Sequence, residues 1–180
     1  MINNSTYRKL AESLYTDELV NKASHIELLA FDVDGVLTDG GLYFDHNGNE
    51  SKRFHAQDGH GIKIIQSIGV EVMIISGRQS KCVKHRGDEL GIDRIIQGSR
   101  DKLKSFHEHK INLPKEKICY VGDDTVDVEL LQYVGFSVIV PNANPILETL
   151  DFDWITPRQG GYGAIRDICD LIYYSKIINA

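Results

Sequence analysis

The chain has 180 residues, 42% hydrophobic and 26% charged, so a single domain spanning 1–180 is expected, burying roughly 70% of its unfolded surface without disulfide staples. A net charge of −6 argues against non-specific binding to nucleic acid or to an anionic membrane. Cys82, Cys119 and Cys169 stand far apart with no zinc spacing, residues 1–6 carry no apolar signal segment, and no apolar run nears the ~18 residues of a membrane span, which together predict a cytoplasmic protein with reduced thiols.

Leu10, Leu14, Leu19 and Val20 recur among polar residues and predict an amphipathic helix over about 7–23, broken near Thr16 and Asp17. An apolar run at 26–31 has the length of a buried parallel strand. It runs into Asp32-Val33-Asp34-Gly35-Val36-Leu37-Thr38-Asp39-Gly40. Two carboxylates two residues apart at a strand's carboxyl end project into the crevice where open α/β sheets bind ligands, close enough to share a divalent cation. Runs at 42–44 and 52–54 flank Asn47-Gly48, a hairpin signal. Leu42, Tyr43, Phe44 and Phe54 are too apolar for a free-standing hairpin and predict contact with another subunit.

A helix follows to about Gly69, then a strand at 70–75, a helix to about Leu90 and a strand at 94–96. Next come a helix from about Arg100 with Lys102, Leu103 and Phe106, a strand at 118–121, a helix with Leu130, Leu131 and Val134, and a strand at 136–140. Trp154-Ile155 reads as a last short strand, and Ile165, Ile168, Leu171 and Ile172 as an amphipathic C-terminal helix. The alternation predicts a doubly wound, mainly parallel α/β sheet with a hairpin flap at about 41–54, a tail at about 157–180 and no cap domain.

The later strands also end in groups suited to phosphoryl transfer. Ser76 offers a hydroxyl and reads as an N-cap of the next helix, whose first N–H groups would face a phosphate. Lys102 sits in a helix's first turn, where a cation opposes the dipole unless a carboxylate or anionic ligand is near. Gly122-Asp123-Asp124-Thr125-Val126-Asp127 holds more carboxylates than N-capping requires, and favours a cation between this cluster and the first.

Asp32/Asp34, Ser76, Lys102 and Asp123/Asp124 follow the order of the four motifs of the haloacid-dehalogenase-like phosphatases, which the chain resembles. F-x-x-x-D-G-x-G-I-K at 54–63, S-G-R at 76–78, G-D-D-x-x-D at 122–127 and the glycine-rich 160–166 are similar to the cap-less subgroup that hydrolyses phosphorylated 3-deoxy-2-keto sugar acids. The resemblance covers 26–171; Ser76, where Thr is frequent, and Asp167, where Glu is usual, keep the functional group.

The resemblance implies a Rossmann-like fold and a Mg²⁺-dependent phosphomonoester hydrolase of lipopolysaccharide precursor synthesis. Asp32 would be the nucleophile, forming an aspartyl-phosphate, and Asp34 the general acid/base. Ser76 and Lys102 would hold the phosphoryl oxygens. Mg²⁺ would be held by Asp32, the Asp34 backbone carbonyl and Asp123, with Asp124 and Asp127 in support. The substrate-binding positions it implies are Asp34, His55, Asp58, Gly59, Lys63, Gly77, Arg78, Arg86 and Lys102. Related phosphatases are tetramers, which implies a homotetramer built partly from the hairpins, with residues 160–166 covering an active site, its own or a neighbour's, and Arg166 approaching the anionic substrate; the other reading of 160–166 is a plain connection to the C-terminal helix.

Two other readings stay open. One keeps the chemistry on a nine-carbon nonulosonate 9-phosphate. The other is a non-catalytic, phospho-accepting regulatory module; receiver domains lack a second Asp two residues after the phospho-accepting one, so Asp34 discriminates.

Overall fold

The computed structural model describes residues 13–109 and 111–178. Along the chain run α1 (Asp17–Ser24), β1 (Leu28–Phe31), β2 (Tyr43–Phe44), β3 (Glu50–Ser51), α2 (Ala56–Ser67), β4 (Glu71–Ile75) and α3 (Lys81–Leu90). Then come β5 (Arg94–Ile96), α4 (Lys102–Glu108), β6 (Ile118–Gly122), α5 (Val128–Tyr133), β7 (Phe136–Ile139), β8 (Trp154–Ile155) and α6 (Ala164–Ile178).

Among the described residues, six strands pair in parallel in the order β5-β4-β1-β6-β7-β8. Both faces of the central strands are covered, which is why β1 and most of β4 and β6 read as apolar runs. Leu29, Phe31, Val72, Ile74, Cys119 and Val121 pack with residues of α1, α2, α3 and α6. Their neighbours Leu28, Ala30, Met73, Ile75, Ile118 and Tyr120 pack on the other face with Phe106 of α4 and Leu130 and Leu131 of α5. The chain winds outward from β1 through β4 to β5, then returns to β6 on the other side of β1 and winds outward again. The crevice at that reversal is where such sheets bind ligands. Phe31 pairs with Ile74 and Val121, so Asp32, Ser76 and Asp123 all leave the sheet at this one edge.

Three local expectations change. The hairpin forms, but its second strand is Glu50–Ser51 rather than 52–54. The Asp45 carboxylate accepts the N–H groups of Asn47 and Asn49 at 2.9 and 2.8 Å, which places the turn and sets Tyr43 opposite Ser51. Leu42, Tyr43 and Phe44 are exposed as expected, whereas Phe54 packs against the core and is no part of that surface. Ser76 is not an N-cap: α3 starts at Lys81 with Ser80 at the cap position, so the helix start does not adjoin the Ser76 hydroxyl. The break near Thr16 is present, Thr16 capping α1 through the Leu19 N–H, while the predicted helical segment 7–12 lies outside the described residues.

In the glycine-rich segment, Gly161 N–H donates to Val36 O at 3.0 Å and Gly160 N–H to Asn142 Oδ1 at 2.7 Å. A Cβ on Gly160 would lie 1.8 Å from the Gly35 carbonyl oxygen, so glycine is needed for this approach. Residues 160 and 161 thus brace the Asp32–Gly40 loop of their own chain.

Candidate active site

The first acidic motif is a wide turn. Asp34 (φ −77°, ψ 112°) and Gly35 (φ 95°) leave helical geometry, and Thr38 N–H closes the loop on Val33 O at 2.9 Å. A Cβ on Gly35 would meet Asp123 Oδ2 at 2.0 Å, so glycine both supplies the positive φ and admits the second acidic motif against the first.

Asp32, Asp123 and Asp127 bring carboxylate oxygens within 4.8 Å of one another. Asp32 Oδ1 accepts Val33 N–H at 2.6 Å, and Oδ2 lies 2.7 Å from Lys102 Nζ. Lys102 is buried and also donates to Asp127 Oδ1 at 2.5 Å. Burial pulls the Lys102 pKa down, but Asp32 and Asp127 outweigh it and hold the ammonium charged. This resolves the cation at the start of α4.

Asp127 has no spare oxygen for a metal. Tyr120 Oη and Lys102 Nζ both donate to Oδ1 at 2.5 Å, and the N–H groups of Asp123 and Asp124 donate to Oδ2 at 3.0 and 3.1 Å. It shapes the loop and holds Lys102. Asp124 caps the following turn through Thr125 N–H at 2.7 Å. Asp123 is the opposite case: its Oδ1 is buried with no hydrogen-bond partner. Its pKa is pushed up to about 8, first by burial and then by Asp32 and Asp127. Asp32 is pushed up to about 6, mainly by burial. Three carboxylates and one ammonium leave two negative charges, which one divalent cation would balance, and the orphaned Asp123 oxygen is a ready ligand. The carboxylates of Asp32 and Asp123 fit Mg²⁺, an oxygen-seeking cation.

Ser76 is buried at the end of β4, its Oγ accepting Arg78 N–H at 3.3 Å. Asp34 points to the hairpin side, ion-paired with Lys52 and 3.6 Å from Arg78 Nε. Sequence reasoning missed Lys52, Tyr120 and Asn142. Tyr120 read as part of a strand and Lys52 as part of the hairpin's second run. Asn142, whose Nδ2 donates to Gly35 O at 2.8 Å, follows a proline in an apparent loop and carried no signal.

A haloacid dehalogenase-like hydrolase family model matches residues 95–159. The 3-deoxy-D-manno-octulosonate 8-phosphate phosphatase of Yersinia pestis is 38% identical over 177 residues, 97% of this chain and 94% of that protein. That of Escherichia coli K12 is 42% identical over 161 residues, 88% of this chain and 85% of that protein. The chain belongs to the 3-deoxy-D-manno-octulosonate 8-phosphate phosphatase family of haloacid dehalogenase-like hydrolases. A solved Moraxella catarrhalis phosphatase of this name, in complex with magnesium, phosphate and a KDO molecule, superposes with a TM-score of 0.86 at 38% identity, covering 91% of this chain and 94% of that one. The cobalt-bound Haemophilus influenzae phosphatase gives 0.81 at 34%, covering 86% and 91%.

Other positions implied for substrate by resemblance to this phosphatase family fall elsewhere. Gly59, Lys63 and Arg86 line a cavity of about 450 Å³ with Phe54, His60 and Leu90; Asp32, Asp34, Ser76, Lys102 and Asp123 do not line it. His55 precedes α2, its Nδ1 buried without a partner. Arg166 lies in α6, paired with Asp170 at 2.7 Å and packed over Gly61, away from Asp32 of its own chain. Asp58 is 0% exposed and accepts Arg166 N–H at 2.8 Å, which joins α2 to α6, while its Oδ2 is buried without a partner.

Asp58 yields a stability prediction. Its pKa is pushed up to about 6, mainly by burial. The native state therefore binds the extra proton between the unfolded value, about 4, and about 6, and stability falls as pH rises through that window. Asp58→Asn removes this dependence. Relative to wild type, the variant gains up to about 3 kcal/mol between about pH 4 and pH 7, read by denaturant titration. A difference that stays constant with pH contradicts the assignment.

Proposed function

We propose that this chain is a Mg²⁺-dependent phosphatase that converts 3-deoxy-D-manno-octulosonate 8-phosphate to the free sugar acid and inorganic phosphate, in lipopolysaccharide precursor synthesis. The observation that carries this reading is the meeting of Asp32, Lys102 and the unpartnered Asp123 at the sheet's reversal, beside Asp34. Similarity to phosphatases of that activity across nearly the whole chain supports it.

Asp32 attacks phosphorus in line, the bond to the sugar oxygen breaks, and Asp34 gives that oxygen its proton. Asp34 then takes a proton from water, whose oxygen attacks the aspartyl-phosphate, and the electron pair returns to Asp32. Lys102 and the Ser76 hydroxyl hold the non-bridging oxygens, and Asp127 and Tyr120 fix Lys102 in place. Mg²⁺, when bound by Asp32, Asp123 and the Asp34 carbonyl, supplies charge neutralisation for the phosphoryl group. Arg78, 3.6 Å from Asp34, and its neighbour Gly77 meet the substrate's anionic groups.

The chain works as a single cytoplasmic domain in a homotetramer. Exposed Leu42, Tyr43 and Phe44 form the hairpin contact, and the cavity with Lys63 and Arg86 serves the substrate across a subunit boundary. Phosphate release from a panel of sugar acid phosphates with Mg²⁺ is the test, with sedimentation for the assembly. The eight-carbon substrate is expected to give the highest kcat/KM; preference for a nine-carbon 9-phosphate would move the substrate assignment, and no release from any would remove the reading.

A further inference from the structure

The hairpin carries a lysine that the mechanism above does not use. The Lys52 side chain, just after β3, is 1% exposed, the burial of a core residue rather than of a solvated lysine. Its ammonium is ion-paired with Asp34 Oδ1 and lies 3.4 Å from Glu50 Oε1. The other Asp34 oxygen lies 3.6 Å from Arg78 Nε, and Arg78 Nη2 donates to the same Glu50 oxygen at 3.0 Å. Two cations and two carboxylates thus alternate around a closed ring: Lys52, Asp34, Arg78, Glu50. The hairpin is also tied to α3, where Cys82 Sγ meets the Glu50 carbonyl at 3.4 Å.

The two cations differ in access. The Arg78 side chain is 42% exposed, so it can leave the ring to meet an anionic group of an incoming ligand. A buried ammonium cannot leave its carboxylates without a large desolvation cost, so Lys52 stays. We propose that Lys52 is the positioning residue of the acid/base group: through it the hairpin fixes the aim of Asp34 while Arg78 exchanges. The inference rests on the phosphatase reading and adds a part to it, since the hairpin then belongs to the catalytic apparatus as well as to the subunit contact. Asp34 must give a proton to one oxygen and later take one from another, so it must be held in one place through both steps. A misplacement of about 1 Å costs on the order of 10²-fold in rate.

The test compares wild type with Lys52→Met and Lys52→Arg, all with Mg²⁺, on two substrates. One is 3-deoxy-D-manno-octulosonate 8-phosphate, whose leaving oxygen needs a proton; the other is p-nitrophenyl phosphate, whose leaving group departs without one. Rapid acid quench separates formation of the phosphoenzyme from its hydrolysis. For Lys52→Met on the sugar phosphate, kcat is expected to fall about 100-fold with KM within about threefold, and Lys52→Arg to recover most of the loss. On p-nitrophenyl phosphate, phosphoenzyme formation stays near wild type while its hydrolysis slows, so the intermediate accumulates. Unchanged kcat, a rise in KM alone, or formation slowed equally on both substrates overturns the proposal. If Lys52→Met does not fold by circular dichroism, Lys52→Gln carries the same comparison. Wild type inactive on both substrates would instead overturn the phosphatase reading, and this inference with it.

Discussion

Asp32→Asn is expected to lower turnover by at least roughly 10⁴-fold, because the amide is no nucleophile and the reaction loses its covalent route. The fold should survive. Asp32 sits among three close carboxylates, two of them paired with the Lys102 ammonium, and its own pKa is pushed up to about 6, mainly by burial. The amide removes a buried negative charge and keeps the side chain's volume. Without metal, the variant should therefore melt at or above the wild-type temperature. Loss of activity with stability retained is the signature of a group kept for chemistry. Near-normal phosphate release by a folded Asp32→Asn variant would remove the nucleophile assignment.

Chelation of Mg²⁺ is expected to abolish turnover and to destabilise the protein. The unpartnered Asp123 oxygen and the raised Asp123 pKa, pushed to about 8 mainly by burial and then by Asp32 and Asp127, mark an electrostatic deficit that a divalent cation offsets. At Mg²⁺ concentrations of about 100 times Kd, stability should rise by about 2.7 kcal/mol over the chelated protein. Asp123→Asn should lose most of that gain, readable in the melting temperature whatever the activity. Ca²⁺ should inhibit. It favours longer bonds, roughly 2.3–2.6 Å, and more oxygen ligands, which would draw in both Asp32 oxygens and leave none to attack. Full activity in excess chelator, or equal activity with Ca²⁺, would take the metal out of this account.

The central strands of the sheet were legible because both of their faces are buried, so each announces itself as an apolar run. Asp32 and Asp123 were legible for a related reason: charged residues directly after such runs stand at the ligand-binding edge. The hairpin's second strand was misplaced because its register is set by the Asp45 carboxylate on two backbone N–H groups, a local competition that alternation does not reveal. The ion pairs of Lys52 and Glu50 were not legible. Their meaning lies in Asp34 and Arg78, distant in sequence, and a lysine among 20 basic residues carries no mark of burial. The packing of residues 160 and 161 was not legible for the opposite reason. Glycines that read as freedom to move are there for close approach, Gly160 against the Gly35 carbonyl.

The most direct test of the central claim is to locate the transferred phosphoryl group. Wild-type protein with Mg²⁺ and 3-deoxy-D-manno-octulosonate 8-phosphate is quenched in acid during turnover, reduced with borohydride to trap the acyl phosphate, and digested for mass spectrometry. The account predicts a single modified residue, Asp32, absent from Asp32→Asn. A modification at another side chain, or rapid turnover with none at any time point, would contradict it.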